Sequence, residues 1–301
     1  MDIDSLRLFV LAADRLNISA AGRILGIAPA VASARLAKLE KAVGSELLHR
    51  STRKVSLSIE GEEFLPYARE ILAQHAAALE ALGHGTSEPK GTIRFAATST
   101  FAQRYIIPLV AEFLTRYPGI DLDLRLSDVQ FDLIEGSYDL ALRNQSLTDS
   151  SLKARKLAEA SRILCAAPNY LSKRGTPTTP DDLADHELIG FQSQTPRPLI
   201  GPGGKPAQFN PARGQCRLVV DDGLSLKLAT MAGAGISINA LWSVHDELRD
   251  GTLVRVLPDY TADDDTGLWL VYPKSNVLTA KTRVLIDFLV EKIGAAPPWL
   301  M

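Results

Sequence analysis

Cysteine is scarce: the 301 residues hold two, Cys165 and Cys216. They stand far apart, outside any C-x-x-C pair or Cys/His cluster, which excludes a disulfide scaffold and a zinc-type site. No metal and no cofactor is expected. Long apolar runs are also missing, so nothing spans a bilayer and no membrane partner is expected. The opening stretch MDIDSLRLFV is acidic and lacks the basic region of a signal peptide. A cytoplasmic protein with reduced, structural thiols is the expectation. Enzyme signatures are absent too: no nucleophile elbow, no phosphate-binding glycine loop, no metal-ligand spacing. GPGGK (Gly201–Lys205) has the glycines of a phosphate loop, but it lies between short Pro-rich segments and reads as a hairpin tip. What remains is a chain with 46% hydrophobic residues, long enough for more than one domain.

A net charge of −2 does not by itself suggest a nucleic-acid binder. Its distribution does. Residues 1–58 carry nine Lys and Arg against five Asp and Glu, a net +4, which leaves −6 for the remainder. A basic head on an acidic body fits a protein with one DNA-facing end.

Within that head, Asn17–Gly44 (NISAAGRILGIAPAVASARLAKLEKAVG) reads as two short helices around a tight turn. Ser19 is placed as an N-cap, and Gly26 sits where a left-handed residue ends a helix. Pro29 suits a first helical turn. Ala32, Leu36 and Leu39 point inward, and Ser33, Arg35 and Lys38 outward. Small residues (Ala20, Ala21, Gly22, Ala28, Ala30, Ala32, Ala34) allow the close crossing of a helix-turn-helix, whose second helix enters the major groove. The alternative is an ordinary helix pair in an Ala-rich core. Before it, Ile3–Arg15 forms an amphipathic helix with Leu6, Phe9, Val10 and Ala13 on its apolar stripe. After it, ELLHRSTRKVSLSIEG reads as strand, basic tip, strand: a wing whose Arg and Lys contact phosphates.

Ser58 caps a longer helix from Ile59 to about Gly83. Leu65, Leu72 and Leu79 recur every seven residues, with Ala68, His75 and Leu82 three later, the seam of a helix dimer. Pro66 predicts a bend or break near Glu62–Glu63. His84–Gly91 (HGTSEPKG) is a linker.

From Thr92 the pattern alternates strand and helix, which implies a mainly parallel sheet covered by helices. Strands are expected at Thr92–Thr98, Asp121–Asp128, Tyr138–Asn144, Ser161–Pro168, Glu187–Phe191, Gln215–Asp222, Gly235–Asn239, Thr252–Pro258 and Thr266–Pro273. Helices are expected at Phe101–Tyr117 (Ile106, Ile107, Val110 and Phe113 buried), Val129–Ser137, Gly223–Ala232, Ala240–Arg249 and Thr279–Ile293. Shorter ones begin at Asn169–Lys173 and Pro180–Ala184. Two α/β subdomains, crossed by strands near Cys165 and Trp269, leave a ligand-sized cleft between them.

Two runs carry a family resemblance. They are the head, from LRLFVLAADRLNISAAGRILGIAPAVASARLAKLEKAVG to SIEG, and DSSLKARKLAEASRILCAAPNYLSKRGTPTTPDDLADHELIGF in the body. The chain resembles LysR-type transcriptional regulators over essentially its whole length, and the second run is similar to their AphB- and CrgA-like subgroup. The resemblance implies an α+β multidomain protein: an N-terminal winged helix-turn-helix (1–58), a dimerising linker helix and hinge (59–90), and an effector domain (91–301) of two α/β subdomains of periplasmic-binding-protein type. Subdomain I is assigned 91–165 with 266–301, and subdomain II 166–265. The implied partners are double-stranded promoter DNA, a small-molecule effector, further copies of the chain in a dimer of dimers, and RNA polymerase. Pro29, Ser33, Arg35 and Lys38 fall on the family's recognition helix, and Arg50, Thr52 and Arg53, with Lys54 beside them, on its wing. Ala28 and Ala34 depart from the family's usual polar residues, which leaves Ser33 and Arg35 as the base readers. Leu65, Leu72 and Leu79 make the dimer seam.

The family's effector contacts begin where the first body strand meets its helix, here at Thr98, Ser99, Thr100 and Phe101. Helix N-termini favour anions, and three hydroxyl residues cluster there; plain N-capping is the competing explanation. Arg143 pairs either with a ligand carboxylate or with Asp139 or Asp222. Phe191, Asp222 and Asn239 are further effector candidates, with Phe101 and Phe191 flanking a ring. Other readings are a thiol sensor using Cys165 and Cys216, an enzyme, and a solute-binding protein. Cys165, in an apolar strand with only Arg162 nearby, argues against the first.

Overall fold

A computed structural model describes residues 1–50, 55–79, 88–128, 138–144, 152–262, 267–274 and 278–300. The helix expected at Val129–Ser137, the wing tip and the end of the linker helix lie outside the described residues.

The head is built from short-range signals. α1 (Ile3–Arg15) starts on Asp2, whose carboxylate accepts from the Ser5 N–H at 2.8 Å. Leu6, Phe9 and Ala13 are buried as the stripe predicts, and Leu8 and Ala12 join them. α1 packs against α2 (Ile18–Ile24), α3 (Pro29–Val43) and the linker helix, so its buried face is wider than one stripe. Ser19 does not cap α2. Ile18 is buried and begins the helix, so the cap falls to Asn17, which accepts from the Ala20 N–H at 2.9 Å. Gly22 lies against α3: a Cβ there would come within 3.0 Å of Ala32 Cβ. Gly26 turns left-handed (φ +69°) as expected. Ala32, Leu36 and Leu39 are buried.

β1 (Leu48–Arg50) and β2 (Val55–Leu57) pair antiparallel as the wing. Glu40 of α3 anchors it, accepting from the N–H groups of Leu47 and Leu48 at 3.1 and 3.2 Å. Ser58 Oγ accepts from Gly61 N and caps α4 (Ile59–Leu79). Of the bend or break expected near Glu62–Glu63, no break occurs; α4 is one continuous helix with Pro66 inside it. Proline removes one backbone bond there, but Phe64, Leu65, Ala68, Ile71 and Leu72 pack on the head core on both sides of it. Asp14, near the end of α1, pairs with Arg69 of α4 at 2.6 Å and also with Arg94 of the first body strand.

The first body sheet is mixed rather than mainly parallel. β3 (Gly91–Ala97) lies between β4 (Ile120–Leu126) and β5 (Leu140–Arg143), parallel to both. The chain then leaves along β6 (Leu152–Glu159), a strand the sequence pattern missed. After β3, the helix begins at Ser99, not Phe101. α5 (Ser99–Phe101) runs through a π turn (Ala102–Ile106) into α6 (Ile107–Arg116). One extra residue in a turn rotates the rest of the helix by about 100°. Ile106 is therefore buried while Ile107 faces outward, contrary to expectation. Pro108, lacking an N–H, cannot close an ordinary turn there.

β7 (Arg162–Ala166) opens the second subdomain, followed by α7 (Pro168–Arg174) and a 3-10 turn at Pro180–Asp185. Then come β8 (Ile189–Phe191), β9 (Arg197–Ile200), β10 (Pro206–Phe209), β11 (Leu218–Val220) and α8 (Gly223–Met231). β12 (Ser237–Ala240), α9 (Leu241–Arg249), β13 (Val254–Arg255) and β14 (Thr261–Ala262) complete it. Gly201–Lys205 is a hairpin tip between β9 and β10. β7 pairs with β12 and β13, so Arg162–Cys165 belong to subdomain II. This corrects the boundary at 165: the crossing lies at Ala160–Ser161. β15 (Gly267–Pro273) returns to the first sheet, antiparallel to β5 and β6, in the order β4-β3-β5-β15-β6. α10 (Ala280–Leu289) closes the chain against it, extended by a π turn at Val290–Gly294.

Candidate functional site

On the head, α3 starts at Ala28 without a side-chain cap and with Pro29 in its first turn. Its outward face carries Ala30, Val31, Ala34, Ala37, Lys38 and Lys41, all exposed. Ser33 and Arg35 are half-buried at the flanks of that face. Arg35 Nη1 reaches Asp4 Oδ2 at 3.7 Å, so it leans toward the start of α1. Asp2 stands nearby, its carboxyl held below the usual range first by hydrogen bonds from Ser5 and further by the charges of Arg35 and Lys38. Arg50 ends β1. Thr52, Arg53 and Lys54 lie outside the described residues.

In the body, the sequence places the Thr98–Phe101 junction at the C-terminal end of β3. The structure adds a group from the end of β4. Asp128 accepts from Ser99 N through Oδ1 (2.7 Å) and from Gly223 N through Oδ2 (3.0 Å). One carboxylate thus joins the first N–H of α5 in subdomain I to the first N–H of α8 in subdomain II. The Asp128 carbonyl accepts from Gln192 Nε2 at 3.1 Å, also from subdomain II. Beside this bridge, the hydroxyls of Thr98 and Thr100 are buried and have no hydrogen-bond partner among the described residues. A side chain at Gly223 would meet the Thr100 hydroxyl at 3.0 Å, so the two subdomains touch at this point. A donor pair with two unmatched hydroxyls is chemistry suited to an oxyanion.

The other effector candidates separate. Phe101 is fully buried and packs edge-on against Trp242 (5.2 Å between ring centroids) and Trp299 (5.9 Å). It cannot flank a ligand ring, because the aromatic core claims it. Phe191 is half-buried on β8 and lines a small depression, with room for about one water, together with Ile189, Ser193, Arg197, Phe209 and Ile238. Asp222 caps α8, accepting from Ser225 N at 2.8 Å, and hydrogen bonding from Ser225, its side chain first and then its backbone, holds the Asp222 carboxyl low. Asn239 is buried, its amide donating to Ser237 Oγ (2.7 Å) and Cys165 Sγ (3.5 Å). Asp222 thus has one oxygen in a helix cap, and the Asn239 amide is engaged inside subdomain II. Arg143 is half-buried at the end of β5, opposite Trp269. Asp128 was missed because it reads as the polar tail of an alternating strand; its position at a strand's C-terminal end was the available signal. Of the seam residues, Leu65 and Leu72 are half-buried against the head core and Leu79 is 44% exposed. Burial pushes the Cys165 thiol up to about 12.

Residues 3–62 match the model for the bacterial regulatory helix-turn-helix protein of the lysR family, and residues 86–294 match the LysR substrate binding domain. The chain belongs to the LysR family of transcriptional regulators. A curated relative, the HTH-type transcriptional regulator CrgA of Neisseria meningitidis serogroup C, is 32% identical over 291 residues, 97% of each chain. The solved structure of CrgA from Neisseria meningitidis aligns with a TM-score of 0.61 at 30% identity, covering 98% of this chain and 99% of that one. The full-length Vibrio cholerae virulence activator AphB aligns with a TM-score of 0.59 at 29% identity, covering 97% and 99%. The LysR-family assignment gives the head and the body their roles: a DNA-binding module and an effector-binding domain. Among the described residues no helix is long and apolar enough to cross a membrane.

Proposed function

We propose that this LysR-family regulator binds promoter DNA through α3 and the wing, and that a small anionic effector in the cleft between the subdomains alters that binding. Ser33, Arg35 and Lys38, after Pro29, face the major groove. Arg50, Thr52, Arg53 and Lys54 hold phosphates. The observation that carries the effector half is the convergence of Ser99 N and Gly223 N on a single carboxylate, beside the unpartnered hydroxyls of Thr98 and Thr100. Arg143 and Phe191 remain candidates for the rest of the ligand. The effector shifts a balance between two arrangements of the subdomains, which requires that it bind one of them more tightly. Dimers form along α4, pair into tetramers on DNA in the cytoplasm, and act on RNA polymerase. The buried, high-pKa Cys165 gives a thiol sensor no support.

Mapping the genomic fragments bound by the protein supplies an operator and a reporter. In that reporter, Ser99→Ala with Thr100→Val abolishes the effector response while operator affinity stays within a few-fold of the parent. A double variant that responds normally sinks the cleft reading.

A further inference from the structure

Asp128 stands where the effector's anionic group is proposed to lie. Its two carboxylate oxygens take one N–H from each subdomain, at 2.7 and 3.0 Å, and its carbonyl takes the Gln192 side chain of subdomain II. The residue is anchored from its own side, since Ser127 N donates to Ala97 O at the end of β3. The contact therefore ties β3, β4 and α5 of one subdomain to α8 and the end of β8 in the other. The neighbouring Thr100 hydroxyl, on a residue only 8% exposed, has no partner among the described residues.

We propose that Asp128 is a built-in carboxylate latch: it occupies the oxyanion position between Ser99 and Gly223, holds the two subdomains together, and must be displaced by any anionic effector. This rests on the reading of the cleft as the effector site. An intramolecular group competes at an effective concentration of about a millimolar or more. The latch thereby raises the effector concentration at which the response begins, and it selects ligands whose oxyanion matches a planar carboxylate or brings further contacts. Thr98 and Thr100, unmatched with Asp128 in place, supply two more hydroxyls to an incoming ligand.

The test is chemical rescue in the full-length protein. Asp128→Ala empties the position, and Asp128→Asn keeps the shape while losing one acceptor. Both are expected to melt below the parent, the alanine variant further. Acetate or formate at about 10–100 mM, with chloride at matched ionic strength as the control, is expected to raise the melting temperature of Asp128→Ala saturably and leave the parent unmoved. Adding Ser99→Pro removes one N–H donor at a first helical position, where proline is tolerated, and abolishes the rescue. Equal carboxylate effects on parent and variants, rescue by chloride alone, or rescue that survives Ser99→Pro each overturn the latch. If Asp128→Ala does not fold, the same comparison is made with Asp128→Ser, which also leaves room for the carboxylate. The reporter separates the two ideas. Rescue with a normal response in the Ser99→Ala, Thr100→Val variant keeps the latch and removes the effector site. No rescue with a lost response does the reverse.

Discussion

Arg35, the first cation along α3, lies 3.7 Å from the carboxylate of Asp4 on α1. The pair is largely solvated, so it holds Arg35 only weakly. On the proposed binding mode, DNA draws Arg35 away from a carboxylate that belongs to the same head. Arg35→Ala is expected to weaken operator binding by about 1–3 kcal/mol and to relax preference at one base position. Asp4→Asn moves affinity the other way, tightening binding, because it removes both a competitor and a charge repelled by phosphate. Fluorescence anisotropy over a set of operator variants reads both. If neither variant changes affinity, α3 is not the reading element.

The wing predicts a different signature. Arg53→Ala weakens binding evenly across operator sequences and lowers the slope of log K against log salt by about 0.9, one phosphate contact. A salt titration on matched and mismatched DNA measures it. A change of sequence preference with an unchanged slope would place Arg53 on a base edge.

The linker helix gives a split prediction. Leu72 packs against the head core, whereas Leu79 is 44% exposed. Leu72→Asp puts an unpaired charge against an apolar core and is expected to destabilise the head itself by several kcal/mol. Leu79→Asp leaves the head folded and lowers the dimer association constant. Calorimetry and sedimentation, taken together, separate unfolding from dissociation. A Leu79→Asp variant that stays fully dimeric moves the interface off this seam.

The two thiols should differ sharply. Cys165 is fully buried and held near pKa 12, against an ordinary 9.0, mainly because burial penalises the thiolate. At pH 8 about one part in ten thousand is ionised. Alkylation is expected to label Cys216, which is half-buried, and to reach Cys165 only on unfolding. Stability has a definite sign with pH. The folded thiol keeps its proton longer than the unfolded one, so its contribution is complete below pH 9 and is lost as pH climbs toward 12. Cys165→Ser removes that alkaline loss. Rapid alkylation of native Cys165 at pH 8 contradicts this environment.

Much of the head was legible because its signals are local. Caps, helical spacing and the strand-tip-strand run act within a few residues, and α1 and α3 fall where the pattern puts them. The exceptions have physical causes. Ser19 lost the capping role to Asn17 because Ile18 was needed in the core. Ile107 turned outward because a π turn shifted the register. β6 was missed because a charged run, LKARKLAE, shows four exposed residues in succession and no alternation. The site was less legible than the fold. Thr98–Thr100 could be placed from a strand-to-helix junction, but Asp128 meets partners 29 and 95 residues away in the chain. No local periodicity encodes such a meeting, and Phe101 was drawn into an aromatic cluster that only the packing of α9 and the C-terminus creates.

Thr100 offers the sharpest opposition between stability and response. Its hydroxyl is buried at the contact between the subdomains and has no partner among the described residues. An unmatched buried hydroxyl is a cost to the ligand-free protein, and valine is nearly its shape without the polar atom. Thr100→Val is therefore expected to stabilise the ligand-free chain by about 1 kcal/mol. The same change removes a donor from the cleft, so the effector concentration for half-response rises. Thr100→Ser, which keeps the hydroxyl and deletes a methyl, has the opposite profile: lower stability with the response retained. Thermal melts of the ligand-free protein and a reporter dose curve for each variant give the two axes. A purely structural threonine predicts that stability and response move together in both variants, and that result would remove Thr100 from the effector site.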